Sequence, residues 1–140
     1  LDIDGTKVTN SLPLSEMQAL QSLDIRRTQI TDLSSLAGLS NLKALYLNET
    51  QVADLSPLSR LRGLQSLYLT RTEVTDISHL SGLAGLKTLD LNGTQVTDIS
   101  PLTGLAGLQT LYLHGTQVTD WSPVAHIENV SGRPEDWNKT

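Results

Sequence analysis

The sequence predicts an α/β solenoid, with short parallel strands on one face and 3₁₀ or very short helical turns on the other. Three observations carry this. Seven apolar positions recur with a period of 22 residues, one stretch in each period alternates with period two, and one Ser-Pro signal in most periods marks a helical turn.

Each element follows from its residues. Numbered from the first Leu of a repeat, positions 1, 4, 6, 11, 14, 17 and 20 are apolar, as in Leu42, Leu45, Leu47, Val52, Leu55, Leu58 and Leu61. Leu45-Tyr46-Leu47 alternates inward and outward, the pattern of a strand. Position 9 is always Thr, and position 8 is Gly at Gly5, Gly93 and Gly115, so the backbone turns away from the strand there. Position 15 is Ser in the full repeats and position 16 is Pro at Pro57, Pro101 and Pro123, which predicts a serine N-cap before a proline at the first helical position. What remains of the repeat suffices for one 3₁₀ turn or a very short helix. A lone coil cannot cover its own apolar side, so successive coils must stack and pair their strands in parallel.

The pattern restarts at Leu20, Leu42, Leu64, Leu86 and Leu108, so residues 20–41, 42–63, 64–85, 86–107 and 108–129 are full repeats. Residues 1–19 form a partial repeat that begins at position 4, with Leu1, Ile3, Thr6, Val8 and Asn10 matching Leu23, Ile25, Thr28, Ile30 and Asp32. Residues 1–129 are therefore one solenoid domain, and residues 130–140 a C-terminal capping tail or linker. Val130 falls where the next repeat's first Leu belongs, and Trp137, helped by Val130, is expected to cover the last coil. At the other end Leu1, Ile3 and the first sheet edge are expected to be uncovered, which predicts a preceding segment or self-association through that end.

Composition narrows the function. Ten Lys and Arg against fifteen Asp and Glu give a net charge of -5, which argues against nucleic acid and anionic membranes as partners. No apolar stretch is long enough for membrane insertion. With no Cys there is neither a disulfide frame nor a thiolate metal site. The chain would tolerate a reducing compartment; localisation stays unknown, with the cytoplasm favoured.

The run L-x-x-L-x-L-x-x-T-x-V-T-D-L/I-S-P-L-x-x-L, seen most cleanly at Leu86 to Leu105 and at Leu42 to Leu61, resembles the leucine-rich repeat superfamily. It is most similar to the 22-residue bacterial, internalin-like subclass. The resemblance spans residues 1–129 and implies the solenoid just derived, with protein binding on its sheet face. Where the family places Asn at position 9 to bond the backbones of successive coils, this chain has Thr. The resemblance therefore implies a threonine ladder, weaker because a single hydroxyl carries it.

Other patterns invite functional readings. Asn10, Asp32, Asp54, Asp76, Asp98 and Asp120 stack at position 13. A calcium ladder is conceivable, but carboxylates just after a turn and two residues before Ser are better placed to accept backbone N–H bonds. No metal and no cofactor is expected. His79, His114 and His126 occupy positions 16, 7 and 19, on different sides of the coil, so no Ser-His-Asp site converges and the chain is not expected to be an enzyme. His114 and Asp90 share the sheet face in adjacent coils and could pair. The glycine pairs Gly82/Gly85 and Gly104/Gly107 belong to the return turns, not to a phosphate loop.

Positions 3, 5 and 7 point outward from the strands, position 8 flanks them, and these are the variable positions. All three tyrosines lie in one column there. The candidate partner-binding residues are Tyr46, Tyr68 and Tyr112, with Arg26, Arg27, Asn48, Glu49, Arg71, Asn92 and His114 around them. Tyr and Arg bury large areas at low entropic cost while keeping a polar handle. The expected partner is a protein or peptide, with carbohydrate the second ligand class. The alternatives are a sensor or regulatory segment of a larger, enzyme-linked multidomain protein, and a structural spacer.

Overall fold

Six three-residue strands pair side by side in chain order: β1 (Ser22–Asp24), β2 (Ala44–Tyr46), β3 (Ser66–Tyr68), β4 (Thr88–Asp90), β5 (Thr110–Tyr112) and β6 (Asn129–Ser131). All pairings are parallel, and β1 to β5 step by one repeat, Leu23 facing Leu45, then Leu67, Leu89 and Leu111. This is the expected solenoid, seen in a computed structural model that describes residues 1, 2, 5 and 12–137. Ile3, Asp4, Thr6, Val8 and Asn10, which the sequence assigns to the first strand and its turn, lie outside the described residues. An isolated bridge from Asp2 to Asp24 extends the sheet past β1.

Opposite the sheet run short 3₁₀ turns, at Leu12–Glu16, Ser34–Leu36, Ser56–Leu58, Ser78–Leu80, Ser100–Leu102 and Ser122–Val124. Their geometry explains the apolar spacing. In one coil Leu58 donates its N–H to Leu55 (2.9 Å), Leu61 to Leu58 (3.0 Å) and Leu64 to Leu61 (3.0 Å). With about three residues per turn, positions 14, 17, 20 and 1 fall on one side and point at the sheet. In the full repeats the positions read as core are buried except Leu20, which is partly buried, and they form one continuous column from Leu14 to Ile127 that is aliphatic apart from Trp121. At its first end Leu1 (48% exposed) and Met17 (39%) remain on the surface.

Three details differ from expectation. The serine at position 15 is not the cap: it is the first residue of each turn, and Leu33, Leu55, Ile77, Ile99 and Trp121 precede it with no side-chain cap bond. The aspartate at position 13 does the capping, its Oδ1 accepting the Ser N–H at 2.9 to 3.0 Å in all five full repeats. A carboxylate two residues back reaches that N–H, whereas the serine's own hydroxyl cannot.

The threonine hydroxyls act within coils rather than between them. Thr28, Thr50, Thr72, Thr94 and Thr116 each donate to the carbonyl three residues earlier, at 2.7 to 2.9 Å. That bond closes the turn leaving the strand and uses the single O–H, so none remains to donate to a neighbouring coil.

The third difference is the last coil. A 22-residue period would pair Thr110 with Gly132, but Thr110 pairs with Asn129, and Val130 with Leu111. After Ile127 donates to Val124, the chain enters the sheet directly through Asn129 N–H to the Gln109 carbonyl (3.1 Å) and omits the turn that Leu108 makes elsewhere. Val130 thus takes a strand position, and the boundary drawn at 129/130 falls inside β6. Gly132, with φ +93, then passes so close to the previous coil that a Cβ would lie 2.5 Å from the Leu113 carbonyl carbon. Val130 and Trp137 pack against the core beyond it.

Candidate binding face

Strand register sets the face. Because β1 to β5 pair one repeat apart, position 5 makes a single column across the sheet: Asp24, Tyr46, Tyr68, Asp90 and Tyr112. The Tyr46 and Tyr68 rings are 4.8 Å apart between centroids and 1° from parallel. That separation equals the strand spacing, and parallel rings so close cannot lie edge to edge, so they stack face to face along the column. Both are half-buried, where the sequence reading had them facing solvent.

Arg26 completes this stack. Its Cζ lies 5.6 Å from the Tyr46 ring centroid. Its Nε and Nη2 donate to Asp24 Oδ1 (2.9 Å) and Oδ2 (2.7 Å). Those bonds hold the Asp24 carboxyl below the usual carboxylate range. Asp24 was not singled out from the sequence; the available signal was an Asp two residues before an Arg at a strand end.

Position 8 forms the margin of the face, and its backbone is left-handed throughout: φ is +55 at Arg27, +58 at Glu49 and +57 at Arg71, and +69 to +72 at Gly5, Gly93 and Gly115. Glycine adopts this conformation freely, and other residues do so at a cost of roughly 1 kcal/mol or more. Three neighbouring coils thus carry long charged side chains where glycine fits without strain. Arg71 Nη1 donates to Glu49 Oε1 at 3.3 Å across one coil step. Arg26, Arg27, Asn48, Glu49 and Thr70 line a hollow of about 170 Å³, in whose wall Asn48 Oδ1 is buried with no hydrogen-bond partner among the described residues.

The remaining candidates lie apart. Asp90 separates Tyr112 from the Tyr46/Tyr68 pair, so the three rings do not form one surface. Tyr112, at 36% exposed, instead borders a second hollow of about 560 Å³ with Asn129, Ser131 and Arg133. Ser131 Oγ and Arg133 Nη1 are buried there without hydrogen-bond partners among the described residues, and Arg133 packs 4.9 Å over the Trp137 ring. These tail residues were missed because the tail breaks the repeat. Asn92 and His114 meet through one bond, Asn92 Oδ1 accepting the His114 backbone N–H at 2.7 Å. Among the described residues no bond joins His114 to Asp90; the Asp90 carboxylate accepts the Asn92 N–H instead, at 3.0 Å.

Elsewhere the histidines stay separate: His79 sits on the turn Ser78–Leu80, and His126 contacts the Leu105 carbonyl at 3.3 Å. Among the described residues no group of three or more His, Asp or Glu is placed to hold a metal ion, and no helix is long and apolar enough to cross a membrane. The aspartates of position 13 are depressed below the usual range, by the Ser N–H first at Asp32, Asp54 and Asp76 and by the Ser hydroxyl first at Asp98 and Asp120.

Known proteins share this architecture. The family described as leucine-rich repeats (2 copies) matches residues 40–82 and 84–126, more than half of the chain. Internalin C2 from Listeria monocytogenes superposes with a TM-score of 0.89 at 38% identity, covering 94% of this chain and 59% of its own. An internalin, inlF, from the same organism superposes at 0.71 and 28% identity, covering 93% and 45%. The functional domain of InlJ from Listeria monocytogenes, which includes a cysteine ladder, shares the fold at 0.76 and 21% identity, covering 91% and 28%. The chain therefore spans well under two thirds of the length of these neighbours. No curated protein sequence matches it. The internalins are thus proteins this chain is similar to, and with its register, its 3₁₀ turns and its repeat signature in agreement, the chain belongs to the leucine-rich repeat family.

Proposed function

We propose that the chain is a protein-interaction module without catalytic activity, which binds a protein or peptide through the exposed face of its parallel sheet. The carrying observation is the Arg26–Tyr46–Tyr68 stack beside the charged, left-handed margin of Arg27, Glu49 and Arg71. Rings held face to face by their neighbours lose little further freedom on binding, and they present edges and hydroxyls beside a hollow with an unpaired acceptor at Asn48. The same geometry withdraws Tyr46 as a sugar platform, because sugars stack on open ring faces and Arg26 and Tyr68 cover both faces of Tyr46.

The test compares baits in capture from the source lysate. Replacing Tyr46 and Tyr68 together by Ala should weaken binding by roughly 2 kcal/mol or more per residue, the scale of interface hot spots. The fold should survive with a loss of about 1 kcal/mol from the broken ring pair. Arg60 and Arg62, on the opposite side, should be replaceable without effect. Partner capture lost with Arg60→Ala/Arg62→Ala and retained with the tyrosine variant would refute the assignment. Self-association through the end where Leu1 and Met17 are exposed belongs to the same reading. Light scattering tests it, and a monomer at high concentration would refute that part.

A further inference from the structure

We propose that Asp90, set between Tyr68 and Tyr112 on the sheet face, seats an arginine side chain of the partner protein; this rests on the sheet-face reading of function. The chain contains its own template for the site. On β1, Asp24 accepts the backbone N–H of Arg26 (3.1 Å) and grips the Arg26 guanidinium through both carboxylate oxygens, at 2.9 and 2.7 Å. The guanidinium in turn lies 5.6 Å from the centroid of Tyr46, the register neighbour of Asp24 on the next strand. One aspartate and one tyrosine in adjacent places of the position-5 column thus hold a guanidinium between them.

β4 rebuilds that arrangement with one change. Asp90 occupies the same column, has a tyrosine as register neighbour on each side, and accepts the N–H two residues on, from Asn92, at 3.0 Å. Where β1 continues to Arg26, β4 continues to Asn92, which is uncharged and accepts the His114 N–H of the next coil. Among the described residues no cation pairs with Asp90. The aromatic stack leads to the same place. Tyr46 covers one face of Tyr68, and the other face looks toward β4, so the order Arg26, Tyr46, Tyr68 ends on a ring face above Asp90.

Dimensions and charge select the occupant. Tyr68 and Tyr112 are two strand spacings apart, about 9.6 Å. A planar group between two rings needs about 3.5 to 4 Å on each side, so one guanidinium fits. Its fork also matches the carboxylate below it, as Arg26 matches Asp24, whereas an ammonium offers neither plane nor fork.

The probe is Nα-acetyl-arginine amide, titrated into the ¹⁵N-labelled chain, with the lysine and citrulline analogues as controls. Saturable shifts are expected at Asp90, Asn92, Tyr68 and Tyr112, with binding to the lysine analogue several-fold weaker and none to citrulline, which keeps the shape without the charge. Asp90→Asn should weaken the arginine probe by about tenfold or more while leaving the spectrum otherwise folded. Asn92→Arg should close the site from within by recreating the Asp24–Arg26 clasp, and so abolish probe binding. Equal shifts with citrulline, unchanged affinity in Asp90→Asn, or full binding to a folded Asn92→Arg variant would each overturn the assignment. Partner capture that depends on Tyr46 and Tyr68 while the probe fails would sink this inference alone. Probe binding combined with partner capture that ignores those tyrosines would sink the functional reading instead.

Discussion

Gly132→Ala probes the short last coil most directly. The added methyl would lie 2.5 Å from the Leu113 carbonyl carbon, 2.6 Å from the His114 nitrogen and 2.7 Å from the Leu113 oxygen, all backbone atoms, at a residue whose φ is +93. The backbone conformation alone disfavours a side chain by roughly 1 to 2 kcal/mol, and a contact nearly 1 Å too short adds roughly 1 to 3 kcal/mol unless something moves. What moves is the tail, because a solenoid loses its end unit before its centre. The penalty cannot exceed what holds β6 and the tail in place. Besides edge-strand backbone bonds to β5, which water largely replaces on release, that is two partly buried side chains, Val130 and Trp137, and the Arg133 contact over the Trp137 ring. Partial burial contributes about 1 kcal/mol for each of the two and the cation–π contact about 0.5 to 1, so the loss should level off near 2 to 3 kcal/mol.

Urea unfolding and amide exchange measure both quantities. Truncation after Asn129 should lower stability by a similar amount, and adding Gly132→Ala to other tail changes should do little more. The Leu113 amide, which donates to the Ser131 carbonyl at 3.0 Å, should lose protection in the variant. The Leu91 amide, which donates to Tyr112 one coil earlier at 2.9 Å, should keep it. Retained protection at Leu113 with an unchanged midpoint would show that the tail does not dock through Gly132.

Two further predictions concern the aspartate column and the charged margin. The capping aspartates and Asp24 have folded pKa values below their unfolded ones, so their stabilisation is fully present above about pH 4 and is lost as pH falls through the lowered values. The melting temperature should hold from pH 7 to about 5 and fall steeply below about 4, and a flat profile to about pH 2.5 would refute the capping role. Glu49→Gly relieves a left-handed residue by roughly 1 to 2 kcal/mol, against roughly 0.4 to 1 for the freer unfolded chain and less than about 1 for the exposed Arg71 bridge. The net should lie between about 1 kcal/mol of destabilisation and about 1.6 kcal/mol of stabilisation, accompanied by weaker partner binding; destabilisation beyond about 1 kcal/mol would count against the strain argument.

The repeat made most of the fold legible in advance. The apolar spacing and the turn residues called for a short strand and a tight return, either a 3₁₀ turn or a very short helix. A constant period dictates parallel, in-register stacking, so the position-5 column of Tyr46, Tyr68 and Tyr112 could be written down from residue numbers alone. Features that depend on competition among nearby groups could not. The sequence placed the position-13 aspartates to accept backbone N–H bonds, but it also gave the serine the cap, and only the backbone path shows that the Asp oxygen alone caps the turn. A threonine hydroxyl can donate to either of two coils, and the distance to its own carbonyl decides. Val130 fits either a position-1 or a strand role, and the register was settled by whether the chain spent three more residues turning or closed the sheet at once. Residue numbers alone fixed which side chains share the outer face of the sheet, because periodicity assigns columns. Packing settled how they touch: Arg26 clasped to Asp24 and lying over Tyr46, and the Tyr46 and Tyr68 rings parallel to within 1°. Contact depends on rotamers and strand spacing, and these exist only once neighbouring coils have packed.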